Sequence, residues 1–167
     1  MIIIIFTLAI IAAFFLSKSY RSFERYYSTV QYVTLISLVY PLVCRGYMMW
    51  RFPNLGIFTD KVNLLFQAAL LLPATTVIFL RYLPRAVWSK TLYFLGFVGL
   101  YTVMEWLLVA RKEIIYAHGW NIGWSIFVDV CMFAVMWIHD RNWKAAVSIS
   151  GLVLIFLVVW FRVPIEG

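Results

Sequence analysis

Long apolar runs, separated by short polar segments, organise the whole chain. A helix needs about 20 apolar residues to cross a bilayer, with a range of roughly 17–25. Six runs meet or approach this length, and they predict spans at about 2–17, 28–45, 63–81, 91–110, 122–138 and 145–162. The pattern therefore predicts an all-α fold, a polytopic transmembrane helical bundle that forms one integral membrane domain over residues 1–167.

The first run, MIIIIFTLAIIAAFFL, has the length of a signal-peptide core. Its positive charges follow the apolar residues instead of preceding them, and no A-x-A-like cleavage site comes after it. We therefore expect a retained span, whose short length is extended by the Lys18 side chain reaching toward the headgroups.

Composition supports a membrane environment. The chain is 65% hydrophobic and 13% charged, with a mean hydropathy of +0.92. Soluble domains have roughly 45–50% apolar and about 25% charged residues. The net charge of +7 comes from cations in short loops. These cations favour contact with anionic membrane lipids and not with nucleic acid.

The Lys and Arg residues fall into two groups if the chain crosses six times. Eight follow the odd-numbered spans: Lys18, Arg21, Arg25, Arg81, Arg85, Lys90, Arg141 and Lys144. Six lie in the other connections: Arg45, Arg51, Lys61, Arg111, Lys112 and Arg162. Because positive loops stay in the cytoplasm, this bias predicts that both termini lie outside. The aromatic connections at 46–62 and 111–121 are then expected to lie on the outer surface.

Two carboxylates inside predicted spans are the strongest functional signal. Glu105 lies in the fourth span and Asp129 in the fifth. A charged group at membrane depth costs roughly 2.5–3.5 kcal/mol on insertion scales, so such residues are functional by default. A short connection makes the two spans neighbours, and both carboxylates then reach a similar depth in the outer half.

Other polar residues recur at helical spacing around these two acids. Residues three or four apart share a helix face, and this rule groups them into one proposed ligand- or proton-binding cluster. Its members at helical spacing are Glu105 with Tyr101, Asp129 with Ser125 and Asn121, and Gln67 with Asp60. His118, in the connection between the fourth and fifth spans, is included because it lies near them in sequence.

Each member of the cluster also has a structural interpretation. The polar groups can hydrogen-bond across helices at about 0.6 kcal/mol per contact. Asp60 follows Thr59 and can belong to a helix N-cap, and His118 precedes a glycine in a predicted turn. Pro73 lies inside the third span, and a proline at such a position predicts a bend in the helix.

Motifs for catalysis or cofactor binding are absent from the sequence. There is no HExxH, GxSxG, P-loop or GxGxxG. Cys44 and Cys131 make no metal-type spacing, and neither do the two histidines, so we predict no metal and no cofactor.

Three functional hypotheses stay open. The first is a non-enzymatic membrane protein whose outward-facing polar pocket binds a small ion, a proton or a lipid headgroup, as a transport or envelope-assembly subunit. The second is an intramembrane enzyme acting on a lipid or isoprenoid headgroup. The third is a structural scaffold. The expected partners are membrane lipids, and either further copies of the chain or another membrane protein.

Several short strings resemble one protein family. They are LPATT at 72–76, YLP at 82–84, Tyr101 with Glu105, IYAHGWN at 115–121 and Trp124-Ser125. The strings are similar to the third to fifth spans of a group of small, uncharacterised polytopic membrane proteins of endospore-forming Gram-positive bacteria. The resemblance covers about residues 58–165. It implies an integral plasma-membrane protein and brings no activity, substrate or cofactor.

Overall fold

A computed structural model describes residues 2–53 and 59–164. The chain forms seven α-helices and two short strands within these residues. In order they are α1 (Ile2–Leu16), a 3-10 turn (Ser19–Ser22), α2 (Phe23–Val43), β1 (Trp50–Arg51), α3 (Asp60–Phe66), a π-helical turn (Gln67–Leu71), α4 (Leu72–Arg81), α5 (Val87–Ala110), β2 (Ile115–Tyr116), α6 (Ile122–His139) and α7 (Trp143–Trp160). The predicted all-α helical bundle is confirmed.

The π-helical turn explains why three of these elements form one long helix. α3, the π turn and α4 are continuous over Asp60–Arg81. Pro73 lacks an N–H group, and its ring clashes with the carbonyl four residues earlier in a regular α-helix. The wider π turn lies just before this proline and relieves the clash without ending the helix. The predicted bend at Pro73 is thus replaced by a local widening of the helix.

Within residues 2–53 and 59–164, four helices are long and apolar enough to cross a membrane. They are Asp60–Arg81, Val87–Ala110, Ile122–His139 and Trp143–Trp160. α1 and α2, which are bent by 75° at the 3-10 turn, pass the same test only as a pair, so the described residues contain four or five candidate spans where six were predicted. With 15 residues, α1 is about 22 Å long, which is less than the roughly 30 Å hydrocarbon core. The first turn of α2 carries Glu24 and Arg25.

The short helix α1 nevertheless reaches from one end of the bundle to the other. The Ile2 backbone N–H donates to a carboxylate oxygen of Glu113 at 2.8 Å, beside β2. The Tyr82 hydroxyl donates to the Ser17 carbonyl at 2.8 Å, beyond the end of α4. α1 therefore lies along the bundle and packs against α4 and α5.

The two ends of the bundle differ in character. At one end, which we call the strand end, β1 and β2 pair antiparallel with Trp50 opposite Tyr116. This pairing joins the two aromatic connections; residues 54–58 of the first lie outside the described residues. At the other end, the basic end, Arg81 hydrogen-bonds Ser22. Lys90 and Arg141 both lie over the Trp137 ring there.

Aromatic side chains form the centre of the core. Phe79 and Phe133 are completely buried, with ring centroids 5.0 Å apart. Their neighbours include Phe94, Phe97 and Tyr101, which meet Phe133 at steep interplanar angles of 66–83°. Such edge-to-face pairs add about 0.5–1.5 kcal/mol beyond the burial of their area. This cluster fixes how α4, α5 and α6 pack together.

Candidate functional site

A cavity of about 320 Å³ lies between the helices. This volume is near the lower limit of the roughly 300–1,000 Å³ found for ligand pockets. Most of the lining is aliphatic, aromatic or sulfur-containing. The lining also includes side chains with hydroxyl, amide or carboxylate groups: Tyr32, Ser37, Tyr40, Gln67, Tyr101, Glu105, Ser125, Asp129 and Ser150.

Glu105 is held by two hydroxyl groups at the strand-end side of the cavity. Its Oε1 atom accepts from the Tyr116 hydroxyl at 2.6 Å and from Ser125 Oγ at 2.5 Å. The Trp120 indole N–H donates to Ser125 Oγ at 2.9 Å. Burial raises the pKa of Tyr116 above its ordinary value, and the hydrogen bond to Glu105 acts in the same direction. Tyr116 is therefore a hydrogen-bond donor to this carboxylate at neutral pH.

Asp129 lies one helical turn beyond Ser125 on α6, so both side chains face the cavity. Asp129 is 9% exposed, and Glu105 interacts with it electrostatically. Its Oδ2 atom is buried, and no group in residues 2–53 and 59–164 hydrogen-bonds to it. An unpaired buried polar group costs roughly 1–3 kcal/mol and calls for an explanation.

Tyr101 and Gln67 also line the cavity, as the predicted cluster requires. The Tyr101 hydroxyl lies 2.6 Å from Thr75 Oγ1. Gln67 begins the π turn, and its side-chain amide donates weakly to the Asn63 carbonyl at 3.4 Å. Five of the eight predicted residues thus share one cavity: Glu105, Asp129, Tyr101, Gln67 and Ser125.

Asp60 and Asn121 lie outside the cavity lining and hold the backbone at helix starts. An Asp60 carboxylate oxygen accepts from the Phe52 N–H at 3.0 Å, which ties the end of β1 to the start of α3. Asn121 is the N-cap of α6, and its Oδ1 atom accepts from the Gly123 N–H at 2.9 Å. Both side chains accept hydrogen bonds from backbone N–H groups that lack a partner in a helix or strand. These hydrogen bonds, and not the cavity, determine where the two side chains lie.

His118 also lies outside the cavity lining, because it occupies a tight turn. His118 and Gly119 have φ of +54° and +82°, and the Trp120 N–H donates to the Ala117 carbonyl at 3.0 Å. Positive φ at both central residues defines a type I′ turn. The exposed imidazole stacks on Tyr47, with ring centroids 3.6 Å apart.

Four aromatic residues of the site were not in the predicted cluster: Tyr40, Trp50, Tyr116 and Trp120. The Tyr40 hydroxyl donates to the Trp50 carbonyl and accepts from the Trp50 N–H, each at 3.0 Å, and the two rings stack. Tyr116 and Trp120 belong to the IYAHGWN string, so the family-like motif marked this part of the site. Nothing in the sequence indicated Tyr40 or Trp50, because their pairing depends on the strand contact.

The described residues include no group of three or more His, Cys, Asp or Glu side chains able to hold a metal ion. Comparison of the chain with protein-family models, with curated proteins and with solved structures finds no match. The class that the fold defines is that of polytopic α-helical membrane proteins. The resemblance based on the short strings stays an expectation.

The Tyr116 hydroxyl offers a direct test of the Glu105 network. We expect Tyr116→Phe to lower the free energy of unfolding by about 0.6–1.7 kcal/mol, the range measured for hydrogen bonds between membrane helices. SDS titration of the protein in mixed micelles measures this value. The matched control is Tyr27→Phe, which removes a hydroxyl from an exposed tyrosine of α2. If both variants lose the same free energy of unfolding, the hydrogen bond from Tyr116 to Glu105 does not contribute measurably to stability.

Proposed function

We propose that this protein is a non-enzymatic integral protein of the plasma membrane that binds a small cationic group between Glu105 and Asp129. The observation that carries the proposal is that two carboxylates, Glu105 and the buried Asp129, line one cavity between the helices. A cation with N–H groups neutralises a carboxylate and makes strong hydrogen bonds to it. Binding requires only these charges and the shape of the cavity.

The carboxylates and the aromatic rings of the cavity lining favour a cationic ligand over an anionic one. Two carboxylates line the cavity, and no Lys, Arg or His of the described residues does. The Trp120 and Tyr101 rings lie on the same lining. An organic cation against such rings gains roughly 0.5–2 kcal/mol.

The proposed orientation follows from the unequal numbers of Lys and Arg residues at the basic end and the strand end. The basic end carries eight of the fourteen Lys and Arg residues, and we place it in the cytoplasm. The strand end and both chain termini then lie outside. Trp50, Phe52 and Trp120 line the cavity near the strand end, which supports a pocket in the outer half of the membrane.

Methylammonium is the probe for this proposal. We expect it to bind wild-type protein in phosphatidylcholine nanodiscs, and Asp129→Asn to weaken binding by about tenfold or more, because one charged contact is lost. Isothermal titration calorimetry measures both affinities. Asp140→Asn is the matched control, since it removes the same charge from an exposed site at the basic end.

Two results would overturn the proposal. One is wild-type protein that shows no saturable methylammonium binding. The other is an Asp129→Asn variant that folds and binds methylammonium as tightly as the Asp140→Asn control.

A further inference from the structure

Two helices, α2 and α7, both line the cavity and make few direct contacts with one another. α2 packs chiefly on α4, and α7 packs on α6. The faces that they turn to the cavity are largely apolar. On α7 the lining residues recur every three or four positions: Ser150, Val153, Leu154, Leu157 and Val158. These positions span about 12 Å along the helix.

The cavity-facing residues of both helices are only partly covered. Ile36 and Val39 of α2, and Val153 and Leu154 of α7, have intermediate exposure although they line the cavity. α7 has one fully buried residue, Ala146. These half-exposed residues of α2 and α7 form the walls of an apolar part of the cavity, which we call the slot.

The slot is closed at both ends. Toward the basic end, the Tyr32 hydroxyl of α2 contacts α7 through Ser150 Oγ at 2.6 Å and the Ala146 carbonyl at 3.3 Å. Toward the strand end, a buried cluster joins the residues just after α2 to those just after α7. Its members are Cys44, Met49, Trp120, Phe161 and Val163. The slot therefore lies between these two contacts, beside the middle of α7.

We infer that a membrane lipid with an ammonium headgroup enters between α2 and α7, places its headgroup at Asp129 and Glu105, and lays its hydrocarbon chain along α7. This inference rests on the proposed function and specifies the ligand. The carboxylates and the aromatic rings recognise the ammonium group. The aliphatic walls accept the chain, and the absence of Lys, Arg and His from the described lining disfavours anionic lipids.

Water-soluble probes with one chain length separate charge from hydrophobicity. They are n-octylammonium, n-octanol and octanoate, with methylammonium as the chain-free reference. Binding is measured in phosphatidylcholine nanodiscs, with binding to empty nanodiscs subtracted. We expect octylammonium to bind about a hundredfold more tightly than methylammonium, because its methylenes are buried. We expect it also to bind more tightly than octanol, and octanoate to bind least.

A large residue in the slot tests the path of the chain. Val153→Trp fills the apolar part of the cavity, and we expect it to weaken octylammonium binding by about tenfold. Methylammonium binding stays within about twofold of wild type, because the carboxylates are untouched. Leu152→Trp is the matched control: its neighbouring position on α7 is 67% exposed and lies outside the cavity lining.

The outcomes distinguish this inference from the proposed function. If Val153→Trp and Leu152→Trp bind octylammonium equally well, the slot is not the chain site, and the inference fails while methylammonium binding still supports the proposed function. If neither ammonium probe binds wild-type protein, both proposals fail. A synthetic lipid with an ammonium headgroup, doped into the nanodisc, must compete with octylammonium; lack of competition overturns entry from the bilayer.

Discussion

Replacing Phe133 by alanine is expected to lower the free energy of unfolding by about 3–5 kcal/mol, the usual range for a buried phenylalanine. Phe133 has no exposed surface. Its ring contacts Phe79 at a centroid distance of 5.0 Å, Tyr101 at 5.3 Å and Phe97 at 5.5 Å. Truncation therefore leaves a cavity between α4, α5 and α6 that rigid helices cannot close.

The measurement is SDS titration in mixed micelles, followed by circular dichroism. The control is Phe127→Ala on the same helix, because Phe127 is 36% exposed and lies outside the central aromatic cluster. We expect a clearly smaller loss there, since lipid or detergent tails refill the space. Similar losses for the two phenylalanines would contradict a central role for the Phe133 cluster.

The helices were predictable because the length and apolar composition of each run indicate a membrane-spanning helix without reference to the rest of the chain. The six predicted segments all contain helix, and their centres agree with α1, α2, the Asp60–Arg81 helix, α5, α6 and α7. The presence of Glu105 and Asp129 on one cavity followed from the short α5–α6 connection, which forces neighbouring helices.

The rest of the site depends on contacts that a periodic pattern does not contain. Trp50 meets Tyr116 across more than sixty positions of sequence, through a two-residue strand pair that carries no alternating signal. Tyr40 is placed by this pairing. The slot between α2 and α7 depends on which helices pack closely, and hydropathy is the same for a residue that faces lipid and for one that faces an apolar cavity.

Three residues of the predicted cluster, Asp60, Asn121 and His118, do not line the cavity. Asn121 and Asp60 step in register with cavity residues, so periodicity placed them in the cluster. Both stand at helix starts, where an unsatisfied backbone N–H group is nearer than any cavity. His118 was grouped by proximity in sequence, but its positive φ directs it into a turn. Polar residues at element ends are therefore weaker evidence for a membrane site than those at mid-helix.

Asp129→Leu is expected to stabilise the folded protein by about 1–3 kcal/mol, because it removes a buried carboxylate whose Oδ2 atom has no partner among the described residues. The larger side chain has room, since position 129 lines the cavity. SDS titration in mixed micelles measures the gain. Asp140→Leu, at an exposed position, serves as the control and is expected to change stability by less than about 0.5 kcal/mol.

The same variant separates a binding residue from a structural one. If Asp129 holds the bundle together, its replacement by leucine lowers stability, as expected for breaking a buried polar contact. If Asp129 is kept for a ligand, the Asp129→Leu protein is more stable than wild type and no longer binds methylammonium. A gain in stability together with a loss of binding is the trade-off expected of a residue retained for function. A less stable Asp129→Leu protein would identify Asp129 as part of the scaffold.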